Sequence, residues 1–196
     1  MTTARVQNIT RCFRAASQRD TLSGMDWYAR ARRLATDLDP QNPNRAAGVI
    51  AAMSPMMAWP QNVRQAKNVY SGIGARGLSK NVAKAHAIHN GADPLDILGG
   101  EKVRSFYLNI IAPDNATPVT IDRHAIDIAC GKVQNDSERA LVIRGKAGYA
   151  TVAEMYRRAA TILSKEYGVL ILPQQVQAVT WVSWRNTMIK NNHGDA

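Results

Sequence analysis

Residues 96–111 read DILGGEKVRSFYLNII, and after a Pro/Asp/Asn loop residues 118–130 read PVTIDRHAIDIAC. These two segments decide how the chain is read. The Gly99-Gly100 pair ends one helical turn and opens a helix over 101–111, with Val103, Phe106, Tyr107 and Ile110 on its inward face. Lys102 and Arg104 stand in the first turns of that helix. The second segment sets Asp122 and His124 at the start of another helix, over 121–130, with Ala125, Ile128 and Ala129 inward. Exposed backbone N–H groups, a lysine and a carboxylate are the parts needed to hold a phosphate and do chemistry beside it.

Working outward, Asn42-Pro43-Asn44 reads as the cap and first turn of a helix over 45–53 that is apolar almost all round, which predicts a central position in the core. Ser54-Pro55 stops it, and Met56, Met57, Ala58 and Trp59 follow as an apolar loop before a helix that Pro60 begins. A short helix over 79–89 precedes the Gly-Gly segment. Upstream, the periodicity predicts helices over 4–18 and 25–38, separated by Asp20, Thr21, Ser23 and Gly24 as punctuation. Downstream, 131–150 reads as a Lys-, Gly- and Asn-rich loop, followed by helices over 151–167 and from Pro173 onward. The one strand-like run is 169–172. The expectation is an all-α protein of about nine or ten helices in a single domain, 1–196.

The chain carries 25 Lys+Arg against 15 Asp+Glu, a formal net charge of +10, which favours an acidic partner, nucleic acid first. Its 45% hydrophobic content is enough to build a core. Two cysteines, Cys12 and Cys130, cannot by themselves form a disulfide scaffold, a four-thiolate zinc site or an iron–sulfur cluster, and they fit a reducing compartment. No apolar run approaches the length of a membrane span, and arginines interrupt the N-terminus where a signal core would lie. A cytoplasmic protein with no membrane role, no cofactor and no metal is expected. His86 and His89 have metal-ligand spacing, but no Cys, Asp or Glu stands close by to complete a site.

The segment around Gly100-Glu101-Lys102 and Val119-Thr120-Ile121-Asp122-Arg123-His124 resembles the helix-hairpin-helix DNA glycosylase superfamily, the group holding the endonuclease III-like enzymes. Upstream, Val49 to Ser54 with Asn62 and Ala66 looks like that family's leucine-rich helix and the helix after it. The hairpin, Ile97-Leu98-Gly99-Gly100, is shorter than the family's, Met56 stands where a Gln is usual, and the cluster cysteines are missing. The resemblance implies a two-lobed arrangement, with 44–131 as the core and 1–43 and 132–190 as flanking helices of a second lobe. It implies double-stranded DNA as partner, base flipping and cleavage of an N-glycosidic bond. It also implies an alternative branch, bacteriophage enzymes proposed to modify thymine by letting an amine displace pyrophosphate. A phage protein of that kind would act in the cytoplasm of the bacterial host. A catalytically silent DNA-binding module is the third reading.

Each candidate residue reads two ways. Asp122 is either the carboxylate that stabilises charge on the deoxyribose or a plain helix N-cap. Lys102 matches the Schiff-base lysine implied by the resemblance, or is an exposed lysine near phosphate. Gly99, Gly100 and Arg104 fit a DNA phosphate contact, and Gly99-Gly100 equally fits a helix terminus. Met56, Met57, Trp59 and Asn62 lie where the family enters DNA, and would otherwise pack in the core. His124 is a DNA contact or a structural histidine. Arg144 and Lys146 sit in a polar loop that would touch phosphate or be solvated. Trp181, Trp184, Gln174, Gln177 and Arg185 would line a base pocket or belong to the core.

Overall fold

The computed structural model describes residues 3–145 and 147–193, and every described element is helical. Twelve helices are present among the described residues: α1 Val6–Arg14, α2 Gln18–Met25, α3 Trp27–Leu38, α4 Pro43–Met53, α5 Trp59–Tyr70, α6 Ser79–His89, α7 Pro94–Ile97, α8 Glu101–Ile111, α9 Arg123–Cys130, α10 Asp136–Val142, α11 Gly148–Tyr167 and α12 Pro173–His193. The all-α expectation holds. The chain divides into two compact units, one of residues 1–28 with 114–196 and one of residues 29–113.

In the 29–113 unit, α4 is the centre, as its apolar circumference predicts. Ala46 through Met53 are buried to 2% exposure or less wherever they are apolar, and α5, α6, α7 and α8 surround them. Gly48 allows the closest approach: a Cβ there would stand 2.7 Å from the Pro94 ring of α7. Asn42 caps α4 by accepting from Arg45 N at 3.1 Å. The turn before it is locked by Asp39, which is 6% exposed and accepts from Arg45 Nε at 2.7 Å, Asn42 N at 2.9 Å and Tyr70 Oη at 3.1 Å.

In the other unit, Ile9, Phe13, Ile128, Tyr156, Leu163 and Val176 belong to a core contributed by α1, α9, α11 and α12. The helix α2 lies against α12 so closely that a Cβ on Gly24 would come within 2.3 Å of Val179 Cα. A buried salt bridge ties α10 to α9: Asp127, 2% exposed, accepts from Arg139 Nε at 2.9 Å and Nη2 at 2.8 Å.

Two helices were not expected. Gln18–Met25 is short and polar, and Asp20, Thr21, Ser23 and Gly24, which read as punctuation, are helical because Ser17 accepts from Asp20 N at 3.1 Å and the α12 surface supports the rest. Asp136–Val142 falls in the expected loop. Its signal is a capping box, in which the Asn135 side chain accepts from Glu138 N and Glu138 from Asn135 N. The run 169–172 forms no strand. Helix α9 starts at Arg123 rather than 121, because Val119 to Ile121 are a buried, non-helical segment leading to the Asp122 cap. Among the described residues no helix is long and apolar enough to cross a membrane.

Candidate active site

Asp122 is the N-cap of α9. Its Oδ1 accepts from Ala125 N at 2.8 Å, and its Oδ2 accepts from Trp181 Nε1 of α12 at 3.0 Å. The two readings of this residue are therefore compatible. One oxygen caps the helix, the other meets an indole from a distant helix, and the side chain remains half-exposed. A carboxylate offers about four lone-pair positions, so two such bonds leave acceptor capacity unused.

The segment before Asp122 is held by α11. Tyr149 Oη donates to Val119 O at 2.9 Å and accepts from Ile121 N at 3.0 Å. Arg157 donates to Thr117 O at 2.7 Å from Nη2. Beyond the cap, the fully buried Tyr156 donates to Ala125 O at 3.1 Å. Three side chains of one long helix thus fix the entry and first turn of α9, and with them the carboxylate.

Around the Trp181 ring stand His124, Trp27 and Arg185, and Arg123 follows Asp122 in the chain. The His124 ring meets Trp181 edge-on at 6.5 Å, and Trp27 does so at 6.2 Å. The Arg185 guanidinium lies over the Trp181 ring at 4.7 Å from its centroid. Burial lowers the His124 pKa below the ordinary histidine value; Asp122 opposes that shift, and Arg123 and Arg185 reinforce it. Arg123 Nε donates to His124 Nε2 at 3.4 Å. Beneath the site Tyr28 Oη donates to Gln177 Oε1 at 2.9 Å in the core. Trp184, by contrast, packs against the core cluster.

The remaining candidates are distributed as follows. Lys102 stands in the first turn of α8, part-exposed, in the 29–113 unit. Gly99 and Gly100 are exposed, and Gly100 caps α8 with φ +79°, a conformation that side chains rarely adopt. Arg104 reaches back from α8 to the Leu95 carbonyl, so its guanidinium braces the α7–α8 turn. Met56 is 89% exposed with φ +61°, and Met57 N donates to Ser54 O at 3.3 Å. With Pro55 second in the turn and a positive φ third, this is type II geometry, which favours glycine where Met56 stands. Trp59 is half-buried and meets Phe106 edge-on at 6.5 Å.

Asn62 differs from its reading as a DNA contact. It is 1% exposed and donates through Nδ2 to Ile50 O at 3.1 Å, a strut between α5 and α4. Arg144 is exposed after α10, and Lys146 lies outside the described residues. No group of three metal-ligating side chains occurs among the described residues. A cleft of about 400 Å³ opens between α1 and α11, lined by Arg5, Val6, Met155, Arg158 and Ile162 among others, and none of the candidate residues borders it.

What the fold and the site define is an all-α protein with a helix-capping carboxylate seated against a tryptophan and flanked by arginines. The chain belongs to DUF7178, a family of unknown function, whose model matches residues 1–188. No curated protein and no solved structure matches it.

Proposed function

We propose that the chain is a DNA-acting enzyme of the base-excision type, which takes one base out of the stack and breaks its N-glycosidic bond beside Asp122. The observation that carries this reading is the Asp122 carboxylate, oriented by Ala125 N and Trp181 Nε1 and still half-exposed. A reacting base is out of reach inside a duplex, so it must be extruded first. As the C1′–N bond breaks, its electron pair leaves with the base, which is protonated. Water adds to C1′ and loses a proton. The carboxylate stabilises the positive charge that develops on the sugar between these events. The net charge of +10 supports affinity for the duplex. Lys102 and the Gly99-Gly100 turn are assigned phosphate contacts in this reading, and the cytoplasm of a bacterial cell is its setting.

A second reading, a silent DNA-binding module, is favoured by the fact that both Asp122 oxygens already serve the protein's own hydrogen bonds. Duplexes carrying uracil, mismatches or modified bases, assayed for alkali-labile abasic sites, separate the two. Excision predicts product with the wild-type chain and none with Asp122→Asn. Salt-dependent binding with no product on any duplex leaves the binding module, and amine transfer to a pyrophosphorylated hydroxymethyl-thymine would instead assign thymine modification. An absence of DNA binding even at low salt removes all of these.

A further inference from the structure

The indole of Trp181 is held in one plane by its bond to Asp122 Oδ2 at 3.0 Å, and Trp27 and His124 meet it edge-on at 6.2 and 6.5 Å. One of its faces carries the Arg185 guanidinium, 4.7 Å from the ring centroid. An arginine four residues after a tryptophan on a helix is an ordinary surface pair. Three further facts distinguish this one. The ring is tethered to a carboxylate, so its plane is fixed in relation to the half-exposed Asp122. Arg185 has no carboxylate within ion-pair distance among the described residues. The groups assemble from three separated stretches, at 27, at 122–124 and at 181–185, all in the unit formed by the chain ends.

We infer that Trp181 is a stacking platform for a single unpaired nucleobase, and that Arg185, which lies over the indole face, gives way to the base and takes the phosphate of that nucleotide. A partly exposed cation–π contact is weak, and a base stacked on an aromatic ring interacts more strongly, so the exchange is downhill. The local charge agrees. Arg123 and Arg185 both act on His124, and Arg185 has no ion-pair partner among the described residues, so its guanidinium can take a phosphate. This inference rests on the excision reading and adds to it that the ligand is an extruded or unpaired nucleotide, recognised by its ring face rather than by its edge.

The test uses the full chain and two fluorescein-labelled duplexes, one fully paired and one with a single unpaired thymine, titrated by anisotropy at several salt concentrations. The wild-type chain is expected to bind the unpaired duplex about 5- to 100-fold more tightly. Trp181→Ala is expected to lose that preference. Arg185→Gln is expected to lower the salt slope on the unpaired duplex by about 1. The inference is overturned if folded Trp181→Ala keeps the wild-type preference, or if Arg185→Gln keeps the wild-type slope. Should Trp181→Ala not fold, Trp181→Leu, which fills space without an aromatic face, is read instead, and full retention of the preference overturns the inference. Failure here is distinct from failure of excision. Abasic product with a Trp181-independent preference sinks the platform alone, whereas a Trp181-dependent preference with no product sinks excision alone.

Discussion

Replacing Asp122 with alanine removes a helix cap, the acceptor of an indole N–H, and a charge at the positive end of α9. The cap bond to Ala125 N is 2.8 Å long, and an N-cap replaced by alanine costs about 1 kcal/mol. The Trp181 N–H, bonded at 3.0 Å in a half-buried setting, is left without its acceptor at a further cost of about 1 kcal/mol. The helix dipole adds about 0.5 kcal/mol. The sum is about 2–3 kcal/mol for Asp122→Ala. Asp122→Asn differs, because asparagine caps as well as aspartate and forfeits only one acceptor, so it costs about 1 kcal/mol. Urea unfolding followed by circular dichroism of the three proteins measures both numbers, and a double-mutant cycle with Trp181→Phe isolates the indole bond. A loss below about 0.5 kcal/mol for Asp122→Ala would refute the claim that the carboxylate organises this part of the fold.

Three further outcomes are expected. Tyr149→Phe removes both bonds that hold the segment before Asp122, so the Ile121 amide should exchange with solvent at least several-fold faster, with about 1–2 kcal/mol lost from stability; unchanged Ile121 exchange would deny Tyr149 its positioning role. Met56→Gly deletes a large apolar side chain yet should hold or raise stability, by up to about 1 kcal/mol, because the residue is 89% exposed and sits at φ +61°; a loss above about 1 kcal/mol would show that the methionine packs. Asp39 is pushed up by burial, but hydrogen bonds from Arg45, Asn42 and Tyr70 outweigh that and hold its carboxyl below the ordinary value. Its stabilisation is therefore fully present above the unfolded carboxylate pKa of about 4 and is lost as pH falls through the folded value, so Asp39→Asn should flatten stability against pH on the acid side and leave any slope above pH ~5 unchanged.

Much of this architecture is written locally. The helix α4 announces itself by an apolar circumference and an Asn-Pro start, and α8 by two glycines followed by a 3.6-residue stripe. Asp122 reads as a cap from its place before Ala125 alone. What cannot be read locally is long-range. Trp181 lies 59 residues from the carboxylate it bonds, and nothing in the pattern of α12 distinguishes an indole that packs from one that donates to an acid. Tyr149 is equally silent, because its segment reads as loop until Gly148 is seen to begin α11. The helix α2 escapes for the opposite reason. Its sequence is polar and short, and contact with α12, made close by Gly24, supports it. The capping box at Asn135 and Glu138 was available in the sequence and marks α10 on its own.

The most direct test of the account is the yield of alkali-labile abasic sites from a panel of duplexes carrying uracil, mismatched and modified bases, with wild type and Asp122→Asn compared at equal folded concentration and equal DNA occupancy. The account predicts product from at least one duplex with the wild-type chain and its loss in Asp122→Asn, whose fold and binding persist. Equal product from both proteins, or bound DNA that is never cleaved at the N-glycosidic bond, would contradict it.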